Sequence, residues 1–247
     1  MKKFFEKREL LFAMIVIVLY VVGFSVCDSV SQSIGIPKLV TAIFSVLLTA
    51  ALLLFAFKNG LAGYFGLCRF GKSAKKYLFF LPLFVVGSVN LWNGVALNTA
   101  PAETAAAVVT MLCVGFLEEF IFRGLLFNAI AKTNTTQAMV IVSVSFGLGH
   151  IVNLLNGAPV FDTLLQLVYA MAIGFMLTAL VYRGNSLIPC IILHAVVDVT
   201  SIFNVDGGDT YGLVVSIIIT LVSVNYGAWI MLACREKTVS QSGAVTD

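Results

Sequence analysis

Gly115-Phe-Leu-Glu-Glu-Phe-Ile-Phe-Arg123 places two adjacent carboxylates and an arginine inside an apolar run from about Ala102 to Ile130. Between Glu103 and this cluster the run carries no other charge. A segment of that length and composition predicts a membrane-spanning helix. Ionisable side chains are costly at that depth, so they tend to be rare, inward-facing and functional. On a helix Glu119 and Arg123 stand at i and i+4, share a face and can pair. Glu118 is turned about 100° away by the 3.6-residue period, which leaves it as the carboxylate free for chemistry. A purely structural ion pair would not need the second carboxylate.

The rest of the chain agrees with that setting. It is 60% hydrophobic and 11% charged, with a mean hydropathy of +1.03, whereas a soluble chain carries about 25% charged residues. No ten-residue alternation of a membrane barrel is present. The reading is an all-α, multi-pass membrane protein with one membrane-embedded domain over residues 1–247, because the loops leave no room for a soluble domain. The net charge of +3 comes from Lys and Arg in particular loops and points to no nucleic-acid partner. The five cysteines contain no C-x-x-C pair, so neither a zinc knuckle nor a redox pair is indicated. The stretch from Leu10 to Cys27 is long for a signal-peptide core and lacks an A-x-A end. Valine before Cys27 also argues against lipoprotein cleavage, so this stretch reads as a retained first helix.

Apolar runs divided by polar breaks predict eight helices, at about 10–27, 39–57, 77–97, 102–127, 138–155, 161–182, 187–203 and 211–233. Pro82 in the third is expected to kink it. Lys and Arg before helix 1, between helices 2 and 3, at the end of helix 4 and after it, after helix 6 and after helix 8 would all share one side. Only Lys38 would lie on the other. Asp28, Glu103, Asp162, Asp206 and Asp209 occupy the opposite loops. Basic loops face the cytoplasm, so both termini are expected there, in a plasma membrane of bacterial type. The basic 58–76 loop is interleaved with Leu61, Tyr64, Phe65, Leu67 and Phe70, and reads either as an interfacial segment or as a solvated loop. The small, polar tail at about 238–247 is expected to be disordered.

Both histidines of the chain fall in predicted helices, His150 at the end of Phe146-Gly-Leu-Gly-His150 and His194 at the start of His194-Ala-Val-Val-Asp198. His194 and Asp198 are i and i+4 on one face. Counting about 1.5 Å per residue from the helix ends places Glu118, His150, His194 and Asp198 at similar depths, about 10–18 Å from the cytoplasmic side. Gly147 and Gly149 would let another backbone approach near His150. Such a set can hold and deprotonate a water and stabilise an oxyanion. It could instead ligate a divalent metal such as zinc through Glu118, His150, His194 and Asp198. No H-E-x-x-H is present, so a zincin-type site is not indicated.

Glu118-Glu119-Phe-Ile-Phe-Arg123, Phe146-Gly-Leu-Gly-His150 and His194-Ala-Val-Val-Asp198 resemble, in order and residue type, the three signatures of the CPBP intramembrane proteases. These are also called the Abi or CAAX amino-terminal protease family and include the type II CAAX prenyl endopeptidases. The resemblance covers about residues 77–205, and helices 1 and 2 (10–57) carry no family signal. It implies an endopeptidase in which Glu118 activates water with His150 beside it, His194 and Asp198 line the oxyanion side, and Glu119 and Arg123 support them. The motif fits a metal-assisted or a metal-free scheme. It further implies a peptide or protein substrate entering from the membrane or the cytoplasmic side, and links to peptide maturation and bacteriocin self-immunity. The competing readings are a proton-coupled transporter, since intramembrane Glu, His and Asp also build proton relays, and a non-catalytic immunity or scaffold protein of the same fold.

Overall fold

In the computed structural model, residues 1–155 and 157–234 are described, and they are helical almost throughout. A short α1 (Lys2–Lys7) leads into α2 (Glu9–Ser33) and α3 (Leu39–Lys58). A 3₁₀ turn over Ala74–Phe80 precedes α4 (Leu81–Ser88). α5 (Pro101–Glu119) continues through a π-helical stretch, Phe120–Phe127, into α6 (Asn128–Ala131). Then come α7 (Thr135–Leu148), a 3₁₀ turn Gly149–Ile151, α8 (Val152–Leu155), α9 (Val160–Gly184), α10 (Ile188–Ser201) and α11 (Gly208–Ala233). The single extended pairing among the described residues is an antiparallel bridge between Val95 and Asn204.

Local chemistry sets several of these limits. Proline occupies the first turn of α4, α5 and α10, where its missing N–H costs nothing. The Asn134 side chain accepts from the Gln137 amide at 3.0 Å and caps α7, satisfying one of its unpaired N–H groups. α9 stops at Asn185, in the left-handed conformation, which asparagine tolerates better than most residues.

Among the described residues, seven helical segments are long and apolar enough to cross a membrane. The eighth expected span, α10, has 14 residues, short of the ~20 that a hydrocarbon core requires. Its flanks nevertheless reach both ends of the bundle. The Leu187 amide donates to Gly66 O at 2.8 Å, while Asn98 donates to the carbonyls of Ile202 and Asn204. The expected continuous third helix, 77–97, is also corrected. Pro82 starts α4 rather than kinking a longer helix. After Leu91 the chain leaves helix, and the Asn93 and Asn98 side chains bond to the carbonyls of residues 202–205.

The loops sort into two ends. Lys2 donates to Asn59 O, Lys132 meets Glu9 at 2.6 Å, Cys68 donates to Asn185 O, and Cys234 donates to Lys76 O. The N-terminal helix, the 58–76 and 131–135 loops, and the end of α11 therefore gather at one basic end. Arg235, Lys237 and the tail at 238–247 lie outside the described residues. Arg123, which the charge count placed at the cytoplasmic end of helix 4, is fully buried and contributes nothing to that surface. Of the apolar residues in the 58–76 loop, Phe65 is buried and Leu61, Leu67 and Phe70 pack on the core, while Tyr64 stays exposed.

Candidate active site

α5 delivers Glu118 and Glu119 in its last turn, and the widened helix after it carries Arg123. π-helical stretches of this kind recur at functional sites. Glu119 and Arg123 are completely buried, with Arg123 NH1 2.9 Å from Glu119 Oε1. Arg123 NH2 also donates to Gly174 O at 3.3 Å, and its guanidinium lies 4.2 Å above the Phe146 ring, a favourable cation–π arrangement. Glu119 Oε2 and Arg123 Nε are buried without a hydrogen-bond partner.

The same oxygen that meets Arg123 also meets α10, with His194 Nδ1 2.9 Å from Glu119 Oε1. A carboxylate bound to arginine is an acceptor, so Nδ1 is the donor. Nε2 of His194 consequently faces the other two acids, 3.5 Å from Asp198 Oδ2 and 3.8 Å from Glu118 Oε2. Gly115 makes this approach of α5 to α10 feasible. A Cβ there would fall 2.6 Å from the Ala195 backbone nitrogen.

Glu118 has a different environment. Its Oε1 accepts a 2.6 Å hydrogen bond from the Tyr20 hydroxyl of α2, and its side chain keeps 17% of its surface exposed. It lines a cavity of about 500 Å³ together with Tyr20, Phe146 and His150. His150 sits in the 3₁₀ turn after α7, where its Nδ1 donates to Phe146 O at 3.1 Å and leaves Nε2 as an acceptor. A second cavity, of about 150 Å³, is bounded by His150, His194 and Asp198 together with Asn90 and Gln166. Phe146 holds the two imidazoles apart, with its ring edge-on to His150 at 5.7 Å and to His194 at 5.6 Å.

The structure thus brings all six sequence-predicted residues, Glu118, Glu119, Arg123, His150, His194 and Asp198, to one place. The carboxylates divide as the helical spacing indicates, with Glu119 committed to Arg123 and Glu118 facing the cavity. The imidazole nearest Glu118 is that of His194. The two glycines before His150 differ. A Cβ on Gly147 would collide with Met171 and Leu167 of α9, whereas one on Gly149 would meet nothing within 4 Å, so only Gly147 serves a close helix approach.

Tyr20 was not foreseen. Its signal is a hydroxyl-bearing ring in the apolar first half of α2; buried tyrosine seeks a partner for its O–H, but the sequence does not say which. Of the residues expected to ligate a metal, His194 Nε2 stands 3.5 Å from Asp198 and 3.8 Å from Glu118, while among the described residues no group of three His, Cys, Asp or Glu has metal-site geometry.

Comparison with curated proteins and with solved structures gives no match. Residues 100–200 match the family model described as type II CAAX prenyl endopeptidase Rce1-like. That stretch carries every site residue except Tyr20, and over it the chain is similar to the type II CAAX prenyl endopeptidases.

Proposed function

We propose that the chain hydrolyses a peptide bond with a water activated by Glu118, in a reaction whose steps are carried by its own side chains. The observation that supports this most is the unequal fate of the adjacent carboxylates. Glu119 is buried and bound to Arg123 and His194, while Glu118, held by Tyr20, opens onto the larger cavity.

Glu118 takes one proton from a water in that cavity, and His150 Nε2 accepts a hydrogen bond from the O–H that the water keeps. The oxygen bonds to the substrate's carbonyl carbon as the C=O electron pair moves onto oxygen. His194, carrying a proton on each ring nitrogen, donates from Nε2 to that oxyanion. Glu119 holds its Nδ1 side and Asp198 supports the Nε2 proton. Preorganised donors of this kind are worth about 2.7–4 kcal/mol each. Collapse breaks the C–N bond, and the proton on Glu118 passes to the leaving amine, regenerating the carboxylate. Peptide maturation and bacteriocin self-immunity would both draw on such a cleavage.

The test is cleavage of internally quenched peptides by purified protein in detergent or liposomes. Glu118→Gln keeps size and hydrogen bonding but cannot take a proton, and general-base catalysis contributes about 10²–10⁴-fold. A loss of that order with an unchanged melting curve supports the reading. Near wild-type cleavage by folded Glu118→Gln would exclude Glu118 as the base, and absence of cleavage by the wild-type chain would favour a transporter or scaffold.

A further inference from the structure

Ser25, Asp28, Ser29 and Gln32 of α2 have no part in the reaction above. They stand at i, i+3, i+4 and i+7, on one face of the helix, in a segment otherwise apolar enough to span a membrane. Polar side chains inside a spanning helix face the bundle interior or a water-filled cavity. Here they face the larger cavity, which runs from Glu118, Tyr20 and His150 along this stripe to Lys38. At its far end Lys38 Nζ lies 2.7 Å from Asp28 Oδ2, and the Thr41 hydroxyl donates to Asp28 Oδ1. Asp28 is thus fixed at the end of the bundle away from the basic loops.

Toward the basic end the packing is aromatic. Phe5, Phe12, Phe55, Phe65 and Phe120 are all buried, and their rings pack against one another at centroid distances from 4.8 to 5.7 Å. This aromatic plug lies between the site and the basic end. Its pieces come from α1, α2, α3, the 58–76 loop and the start of the π-helical stretch.

We propose that the polar stripe of α2 is the wall of a water-filled vestibule, through which a polypeptide segment reaches Glu118 from the end opposite the basic loops. The proposal rests on the endopeptidase reading. Basic loops face the cytoplasm, so the substrate class is a segment presented on the far side, from an exported chain or from the outer stretch of a membrane protein. This reverses the sequence-based expectation of access from the membrane or the cytoplasmic side.

The test introduces Ser25→Cys, Ser29→Cys and, as a marker of the basic end, Lys75→Cys into the full-length chain. Right-side-out and inverted vesicles are treated with a membrane-impermeant maleimide. The wild-type chain, in which Cys68 is the exposed thiol, supplies the background. Cysteines at 25 and 29 are expected to react in the vesicle orientation in which the one at 75 does not. Labelling at 29 is expected to abolish cleavage of a quenched peptide relative to the same variant unlabelled. Reaction of 25 and 29 from the same side as 75 overturns the direction of access. Failure to react from either side while 75 reacts overturns a water-filled vestibule. Labelling at 29 without loss of cleavage overturns the route. The labelling pattern is also read in a Glu118→Gln background, where it is expected to be unchanged. Failure of the peptidase reading is thereby separated from failure of the vestibule.

Discussion

His194 Nδ1 lies 2.9 Å from Glu119 Oε1, the oxygen that Arg123 also reaches at 2.9 Å. One buried oxygen therefore joins α5, its π-helical extension and α10. The two donors that share it, a guanidinium and an imidazole N–H, compensate for the cost of burying the carboxylate. It also sets the rotation of the imidazole, and hence what the second ring nitrogen faces.

Arg123→Ala is expected to unfold the site before it alters any chemistry. The substitution leaves Glu119 with one oxygen unpaired already and the other held only by His194. Breaking a buried pair costs about 3–5 kcal/mol in soluble proteins. A lowered melting temperature with lost cleavage is the expected result, and unchanged melting and turnover would refute the role given to the pair. Arg123→Lys should recover part of the stability, since a lysine restores the charge without the guanidinium that spans Glu119, Gly174 O and the Phe146 ring.

Gly115→Ala tests how α5 meets α10. The added methyl would sit 2.6 Å from the Ala195 nitrogen, a backbone atom that cannot move aside alone. Overpacking of this kind costs about 1–3 kcal/mol, and here it also lengthens the distance between Glu119 and His194. Both thermal stability and cleavage are expected to fall. Gly149→Ala, whose methyl meets open space, should melt as wild type does. Equal melting of the two variants would show that the close approach is not needed.

Tyr20→Phe removes the 2.6 Å hydrogen bond to Glu118 and little else. Hydrogen bonds to charged groups contribute about 1.5–3 kcal/mol. Tyr20 is a positioning residue, so kcat is expected to fall about tenfold or more at 1.4 kcal/mol per decade, with KM nearly unchanged and the acidic limb of the pH–rate profile displaced. A change confined to melting temperature would reduce Tyr20 to packing.

A chelator is expected to leave peptide cleavage unchanged, because the proposed steps use only side chains. Rates are compared before and after dialysis against chelator, with metal content measured on the same sample. Loss of activity that zinc restores would replace the proposed role of Glu118 as a free base with that of a metal ligand, since ligating groups in zinc sites converge to about 2.0–2.2 Å.

What was legible in the chain follows from short-range rules. Hydropathy located the eight helical segments to within a few residues at most ends. The i,i+4 spacing of Glu119 and Arg123 announced a pair that the structure contains, and the three motifs named all six residues that cluster. Helix period and burial cost act within one segment, so one segment's sequence is enough to read them.

Only the tertiary structure decided the rest. Nothing in Tyr20 names Glu118, 98 residues away, as its partner, because helical periodicity carries no information across helices. The role of Phe146, between a guanidinium and two imidazoles, depends on three elements meeting. The same holds for Gly147 and Gly149, identical in sequence, of which only Gly147 lies against a neighbour. The breaks around α4 and the shortness of α10 escaped the apolar pattern, because hydropathy reports that a residue is compatible with lipid and not that its backbone is helical. The polar face of α2 could be counted in the sequence, but whether it met protein, lipid or a cavity was settled by how α2 packs against its neighbours.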